Sequence, residues 1–195
     1  MSNGNRMPPR DYLELERRSE ARHEYMLGQA MQVPGGSPNH SLIVANSCTA
    51  LGRRLAGSGK RVFDASLRVC LDVETSIYVY PDLTVVEGAV QTLEDADETV
   101  TNPKVVFEVL SPATRGIELG EKARMYVRVA SLTDLVIIDQ DRVLVEHWER
   151  REANHWDVSA VRDRSGVVRL ASIGCEIPVP ELYAGVEWKG PRAVD

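Results

Sequence analysis

The chain has 195 residues, 43% of them hydrophobic and 27% charged, with a formal net charge of −6. That length suits one domain with a substantial core, and no apolar run approaches the roughly 20 residues of a membrane-spanning helix. The acidic balance argues against a general nucleic-acid binder with a basic face, but not against a nuclease, whose catalytic carboxylates add negative charge that a metal offsets.

Residues Met1 to Arg6 lack the apolar core of a signal peptide. The three cysteines, Cys48, Cys70 and Cys175, are far apart and form no Cys-x-x-Cys pair. A zinc ribbon is therefore not expected, and a reduced, cytoplasmic setting without membrane association is. Residues 1–10 read as a flexible tail, 11–175 as a single domain, and 176–195 as a C-terminal tail lying on or off that domain.

In chain order, Asp11 to Arg22 is charged and starts as a short helix after Pro8-Pro9. Glu24 to Val33 alternates loosely and suggests a strand or hairpin arm, with Gly28 supplying a turn. Pro34 to Asn39 is a loop. A helix is predicted from about His40 to Ala56, capped by Asn39 or Ser41, with Val44, Cys48, Leu51 and Leu55 on one face. Gly57-Ser58-Gly59 ends it.

Val62 to Val73 and Ile77 to Glu87 read as two strands, and Pro81 inside the second marks a strand start or an edge. Gln91 to Thr101 is acidic and reads as a solvated loop. Lys104 to Leu110 is nearly all apolar, as in a central strand buried on both faces. A helix follows from about Glu118 to Val129. Thr133 to Asp139 is another buried strand, and Arg142 to Glu149 forms a hairpin with it. His155 to Val161 and Gly166 to Leu170 extend that edge. From Cys175 onward the chain reads as loop, with Pro178, Pro180 and Pro191. A sheet with helices on both faces is the layer arrangement this order favours.

Two of these strands each carry a carboxylate: Asp82 in Tyr80-Pro81-Asp82-Leu83-Thr84-Val85-Val86, and Glu108 in Val105-Val106-Phe107-Glu108-Val109-Leu110-Ser111. A carboxylate set into an apolar strand is costly unless a cation or strong hydrogen bonds compensate it. Two such strands side by side would aim both acids at one point, which is how a protein holds a hard divalent ion such as magnesium. Lys122, on the following helix, could orient an attacking water or neutralise charge growing on a phosphate. Each residue also has a plainer reading. Asp82 after a proline is a possible turn acid, Glu108 a structural partner of Lys122 or Arg124, and Lys122 a solvated helix lysine. Tyr126 reads as core packing.

Pro81-Asp82, then Glu108-Val109-Leu110, then Lys122 resemble the PD-(D/E)XK nuclease superfamily. More closely, the chain resembles small stand-alone proteins named as restriction endonucleases, the Uma-two family. The matching stretches are Arg22-His23-Glu24-Tyr25 with Gly28, His40 opening a helix, Glu108 to Thr114, Glu121-Lys122 with Tyr126, and Leu135 to Asp139. Together they span roughly residues 11–150. The superfamily's lysine usually stands two residues after the acid. That position here is Leu110, and the resemblance gives its place to Lys122 on the next helix.

The resemblance implies an α/β fold with a restriction-endonuclease-like three-layer core, a mixed central sheet flanked by helices and a C-terminal β extension. It implies a magnesium-dependent endonuclease acting on DNA, with manganese able to substitute. Asp82 and Glu108 would be the metal ligands, and Lys122 would complete the catalytic set. Glu24 would be an additional acid, and His40 a contact to the metal site, a phosphate or a ligating carboxylate; both also have structural readings. Arg53 and Arg54 at the end of the first long helix, and Arg115 in the Ser-Pro-Ala-Thr loop, are candidate phosphate contacts. Two other functions remain open: a catalytically inactive, nuclease-like nucleic-acid-binding or regulatory module, suggested by Leu110, and an assembly module whose Val143-Val145-His147 arm joins a homodimer.

Overall fold

The computed structural model describes residues 6–111 and 117–188. The chain begins with α1 (Pro9–Arg18), the hairpin β1 (His23–Met26) and β2 (Gln29–Gln32), and the long helix α2 (Pro38–Leu55). Six strands follow: β3 (Lys60–Asp64), β4 (Arg68–Asp72), β5 (Ile77–Val79), β6 (Leu83–Glu87), β7 (Thr92–Leu93) and β8 (Ala96–Val100). Then come β9 (Val105–Leu110), α3 (Ile117–Tyr126), β10 (Asp134–Asp139), β11 (Val145–Glu152), β12 (His155–Val161), β13 (Val167–Leu170), β14 (Cys175–Pro178) and α4 (Val179–Leu182). No helix among the described residues is long and apolar enough to cross a membrane.

The central sheet has the order β12-β11-β10-β9-β6-β3. It is mixed: β9 and β10 run parallel, joined through α3, and the remaining neighbours are antiparallel. Its inner strands β6, β9 and β10 are buried on both faces, so their residues sort by alternation. Val105, Phe107 and Val109 of β9, with Val136 and Ile138 of β10, pack against Ile43, Leu51 and Leu55 of α2. Val106 of β9, with Leu135 and Ile137 of β10, packs on the opposite side against Ala123 and Tyr126 of α3 and against Val69 and Val79 of the other large sheet. That second sheet has the order β2-β1-β5-β4-β8-β7. Each Val, Leu, Ile or Phe among them, once fully buried, contributes roughly 1.5–3 kcal/mol of transfer free energy.

Several elements differ from the sequence expectation. Val62 to Val73 is two strands in two sheets. Asp64 accepts the Ser66 N–H at 2.9 Å and its carbonyl takes the Leu67 N–H at 3.1 Å, a side-chain-anchored turn that ends β3. Ile77 to Glu87 likewise divides at Tyr80-Pro81-Asp82, where the chain passes from the second sheet to the central one. The acidic segment Gln91 to Thr101 holds the hairpin β7–β8, with Ala96, Thr99 and Val100 turned inward and Asp97 and Glu98 outward. Strand β13 does not prolong the β11–β12 edge but pairs with β14 in a small separate sheet. The segment after Cys175 is ordered into β14 and α4, with Ile177, Val179, Leu182 and Tyr183 completely buried against the α2 side of the core.

Candidate active site

The alternation that buries Phe107 and Val109 against α2 turns Glu108 toward α3 and the second sheet. The antiparallel register of β6 and β9 pairs Leu83 with Phe107 and Thr84 with Val106. One residue further along that register, Asp82 stands across from Glu108. Asp82 lies just outside β6, and its side chain replaces the missing ladder rung: Oδ2 accepts the Val109 N–H at 2.7 Å. Its other oxygen, Oδ1, lies 3.2 Å from His40 Nε2.

His40 is delivered by the start of α2. Ser37 is the N-cap, its hydroxyl accepting the His40 N–H at 3.1 Å, and Pro38 follows at the first helical position. The cap is thus Ser37 rather than Asn39 or Ser41, because proline's fixed φ suits that first turn and leaves the preceding serine extended. Ser37 also donates to Gln140 Oε1 at 2.8 Å, tying the loop to the end of β10. The bond to Asp82 raises the His40 pKa, against an opposing effect of burial, and the charges of Asp82 and Glu108 add to the rise.

From the other side, α3 brings Lys122 and β1 brings Glu24. Lys122 Nζ lies 2.8 Å from Glu24 Oε1 and 2.9 Å from Glu108 Oε1. Glu24 Oε1 also accepts the Tyr80 N–H at 3.2 Å. Tyr126, one turn after Lys122 on the same helix face, donates its hydroxyl to Glu108 Oε1 at 2.5 Å. Burial drives the Glu108 carboxyl up to about 7; Lys122 opposes the rise, while Asp82 and Glu24 reinforce it. Burial would depress Lys122, but Glu108 and Glu24 overcome it and hold its pKa above the ordinary lysine value. The Tyr126 hydroxyl is raised well above 10 by burial and by Glu108 and Glu24. Lys122 is therefore a fixed cation and Tyr126 a fixed proton donor.

Five of the residues picked from the sequence converge here: Glu24, His40, Asp82, Glu108 and Lys122 line one cavity of ≈ 610 Å³, together with Met26, Met31, Tyr80, Tyr126 and the Pro34-Gly35-Gly36 loop. The plain reading of Glu108 as a partner of Lys122 holds as geometry: that ammonium is shared by Glu24 and Glu108, while Asp82 is held by His40 and the Val109 amide. The donor set fits a divalent ion: hard carboxylate oxygens and a Glu108 carboxyl driven up by burial, with Asp82 and Glu24 adding to the rise. Among the described residues no group of three or more acidic, histidine or cysteine side chains cages an ion unaided.

Other expected positions lie elsewhere. Arg54 is engaged by Glu181, with its guanidinium nitrogens 2.9 and 2.8 Å from the two carboxylate oxygens. Arg53 and Arg54 stand about 20 Å along α2 from His40 at 1.5 Å per residue. Arg115 falls outside the described residues. Tyr126 is in the core as read from the sequence, but its bond to Glu108 was missed; its position four residues after Lys122 was the available signal. The Val109 amide that holds Asp82 carried no sequence signal.

The family model Uma2, described as "Putative restriction endonuclease", matches residues 9–180. Two relatives come from Synechocystis: uncharacterized protein slr1290, 29% identical over 185 residues and covering 93% of each chain, and uncharacterized protein sll1609, 26% identical over 146 residues, 75% of this chain and 82% of the relative. A crystal structure of "a putative nuclease belonging to DUF820" from Anabaena variabilis superposes with a TM-score of 0.75 at 17% identity, covering 91% of this chain and 98% of that one. This likeness establishes the restriction-endonuclease-like α/β architecture.

Proposed function

The chain belongs to the Uma2 family, and from that premise we propose that it is a magnesium-dependent endonuclease hydrolysing phosphodiester bonds of DNA, with manganese able to substitute. The observation that carries this reading is the meeting of Asp82, Glu108 and Lys122 from three separate elements at the wall of one cavity. Asp82 and Glu108 would hold the ion. When bound, a divalent metal polarises the scissile phosphate and lowers the pKa of a coordinated water.

The chain's own groups have distinct tasks. Lys122, whose pKa Glu108 and Glu24 hold above the ordinary lysine value, serves as a charge that draws in the phosphate and stabilises the negative charge growing on it. His40 and the Val109 amide fix the Asp82 carboxylate from two sides. Glu24 steadies the Lys122 ammonium at 2.8 Å. Leu110 stands where the superfamily usually has its lysine, and the distance of 2.9 Å from Lys122 Nζ to Glu108 favours hydrolysis over an inactive scaffold, because the helix delivers the cation the strand lacks.

The test is nicking of a supercoiled plasmid with magnesium or manganese. Asp82→Ala and Glu108→Ala are expected to lower the rate at least a hundredfold. Cleavage at the wild-type rate in both variants refutes this assignment.

A further inference from the structure

The hydrogen bonds around Glu108 use its two oxygens unequally. A carboxylate oxygen offers two lone pairs. On Oε1 both are taken, one by the Tyr126 hydroxyl at 2.5 Å and one by the Lys122 ammonium at 2.9 Å. The Tyr126 and Lys122 contacts of Glu108 both fall on Oε1. Glu24 repeats the pattern: its Oε1 receives both the Tyr80 N–H and Lys122, leaving Oε2. Asp82 has one donor on each oxygen. Glu108 and Glu24 thus each have one oxygen taken twice, whereas Asp82 keeps a lone pair on both of its oxygens.

Divalent ions differ in what they need from such a group. Calcium takes six to eight oxygens and readily accepts a carboxylate through both; magnesium needs near-octahedral geometry with single oxygens and retained waters. We propose that Tyr126 is a specificity-determining residue for the ion: with Lys122 it closes Oε1 of Glu108, so that this glutamate offers a cation one oxygen, which favours magnesium or manganese over calcium. The inference rests on the metal-site reading above. Tyr126 is suited to the task because it is 1% exposed and held in the core beside Ala123 and Leu135, so its hydroxyl cannot swing away. It acts on the ion through Glu108 and is a positioning residue.

The experiment is calorimetric titration of manganese and, separately, calcium into the full chain, as wild type, Tyr126→Phe and Glu108→Gln, with thermal melts to verify folding. Wild type is expected to bind manganese more tightly than calcium. Tyr126→Phe frees a lone pair on Oε1 and is expected to narrow that preference roughly tenfold, mainly through tighter calcium binding, in line with the usual effect of groups that orient metal ligands. Glu108→Gln is expected to weaken both ions at least tenfold. A manganese-to-calcium ratio unchanged within twofold in Tyr126→Phe, while Glu108→Gln still loses both ions, overturns this inference and leaves the metal site standing. Should Tyr126→Phe not fold, Lys122→Met frees the same oxygen and must narrow the ratio in the same direction; an unchanged ratio there overturns the inference equally. Wild type that binds neither ion overturns the metal reading and the inference with it.

Discussion

Replacing Glu108 with glutamine is expected to make the metal-free protein more stable in alkaline solution while ending cleavage. Burial, with Asp82 and Glu24 close by, lifts this carboxyl from 4.5 to about 7 despite Lys122 and Tyr126. A carboxyl whose folded value lies above its unfolded value favours folding when protonated. Wild-type stability therefore falls as pH rises from the unfolded value through the folded one. The rise corresponds to roughly 3 kcal/mol, and with 12% of the Glu108 side chain exposed, solvent screening does not erase it. Glutamine keeps the shape and can accept from Tyr126 and Lys122, but it cannot ionise. Urea unfolding of both proteins in chelator, from about pH 4.5 to pH 8.5, measures the effect. The variant is expected to gain roughly 3 kcal/mol over wild type across that range, and magnesium to close the gap by stabilising wild type alone. Parallel pH profiles for the two proteins would refute the reasoning.

Two further predictions follow from the surroundings of the site. At Gly36 an added Cβ would lie 2.7 Å from His40 Nδ1, so Gly36→Ala is expected to push the imidazole off Asp82 and weaken manganese binding roughly tenfold with an unchanged circular dichroism spectrum; wild-type affinity counts against His40 as the prop of Asp82. Asp134 is fully buried, and although burial raises its pKa, hydrogen bonds from His147, Ser172 and Thr133 outweigh that and hold it below 3.8. The stability it contributes is present above that value and is lost as pH falls through the lower folded one, so Asp134→Asn is expected to flatten the acid limb of the urea-midpoint profile; an acid limb as steep as wild type's contradicts this.

The site was more legible in the sequence than the sheets that build it. Glu108 stood out because Val105 to Leu110 is apolar on both sides of it, and an isolated charge in a strand covered on two faces requires a partner. The division into two sheets was hidden, because across Val62 to Val73 and Ile77 to Glu87 the sequence carries no change of pattern where the chain changes sheet. The breaks depend on one Asx turn at Asp64 and one proline at Pro81. The hairpin β7–β8 was masked by Asp97 and Glu98, which face solvent while their neighbours Ala96 and Thr99 are buried. Prolines 178 and 180 suggested a loop-like tail. In the structure they flank the start of α4, where a missing N–H costs nothing, and Val179, Leu182 and Tyr183 fill the α2 side of the core.

A crystal soaked in manganese tests the central claim most directly. The account predicts an anomalous peak at about 2.2 Å from one Asp82 oxygen and from Glu108 Oε2, with Oε1 still held by Tyr126. A peak elsewhere on the chain, with Asp82 and Glu108 untouched while the same crystals cleave DNA, would contradict it.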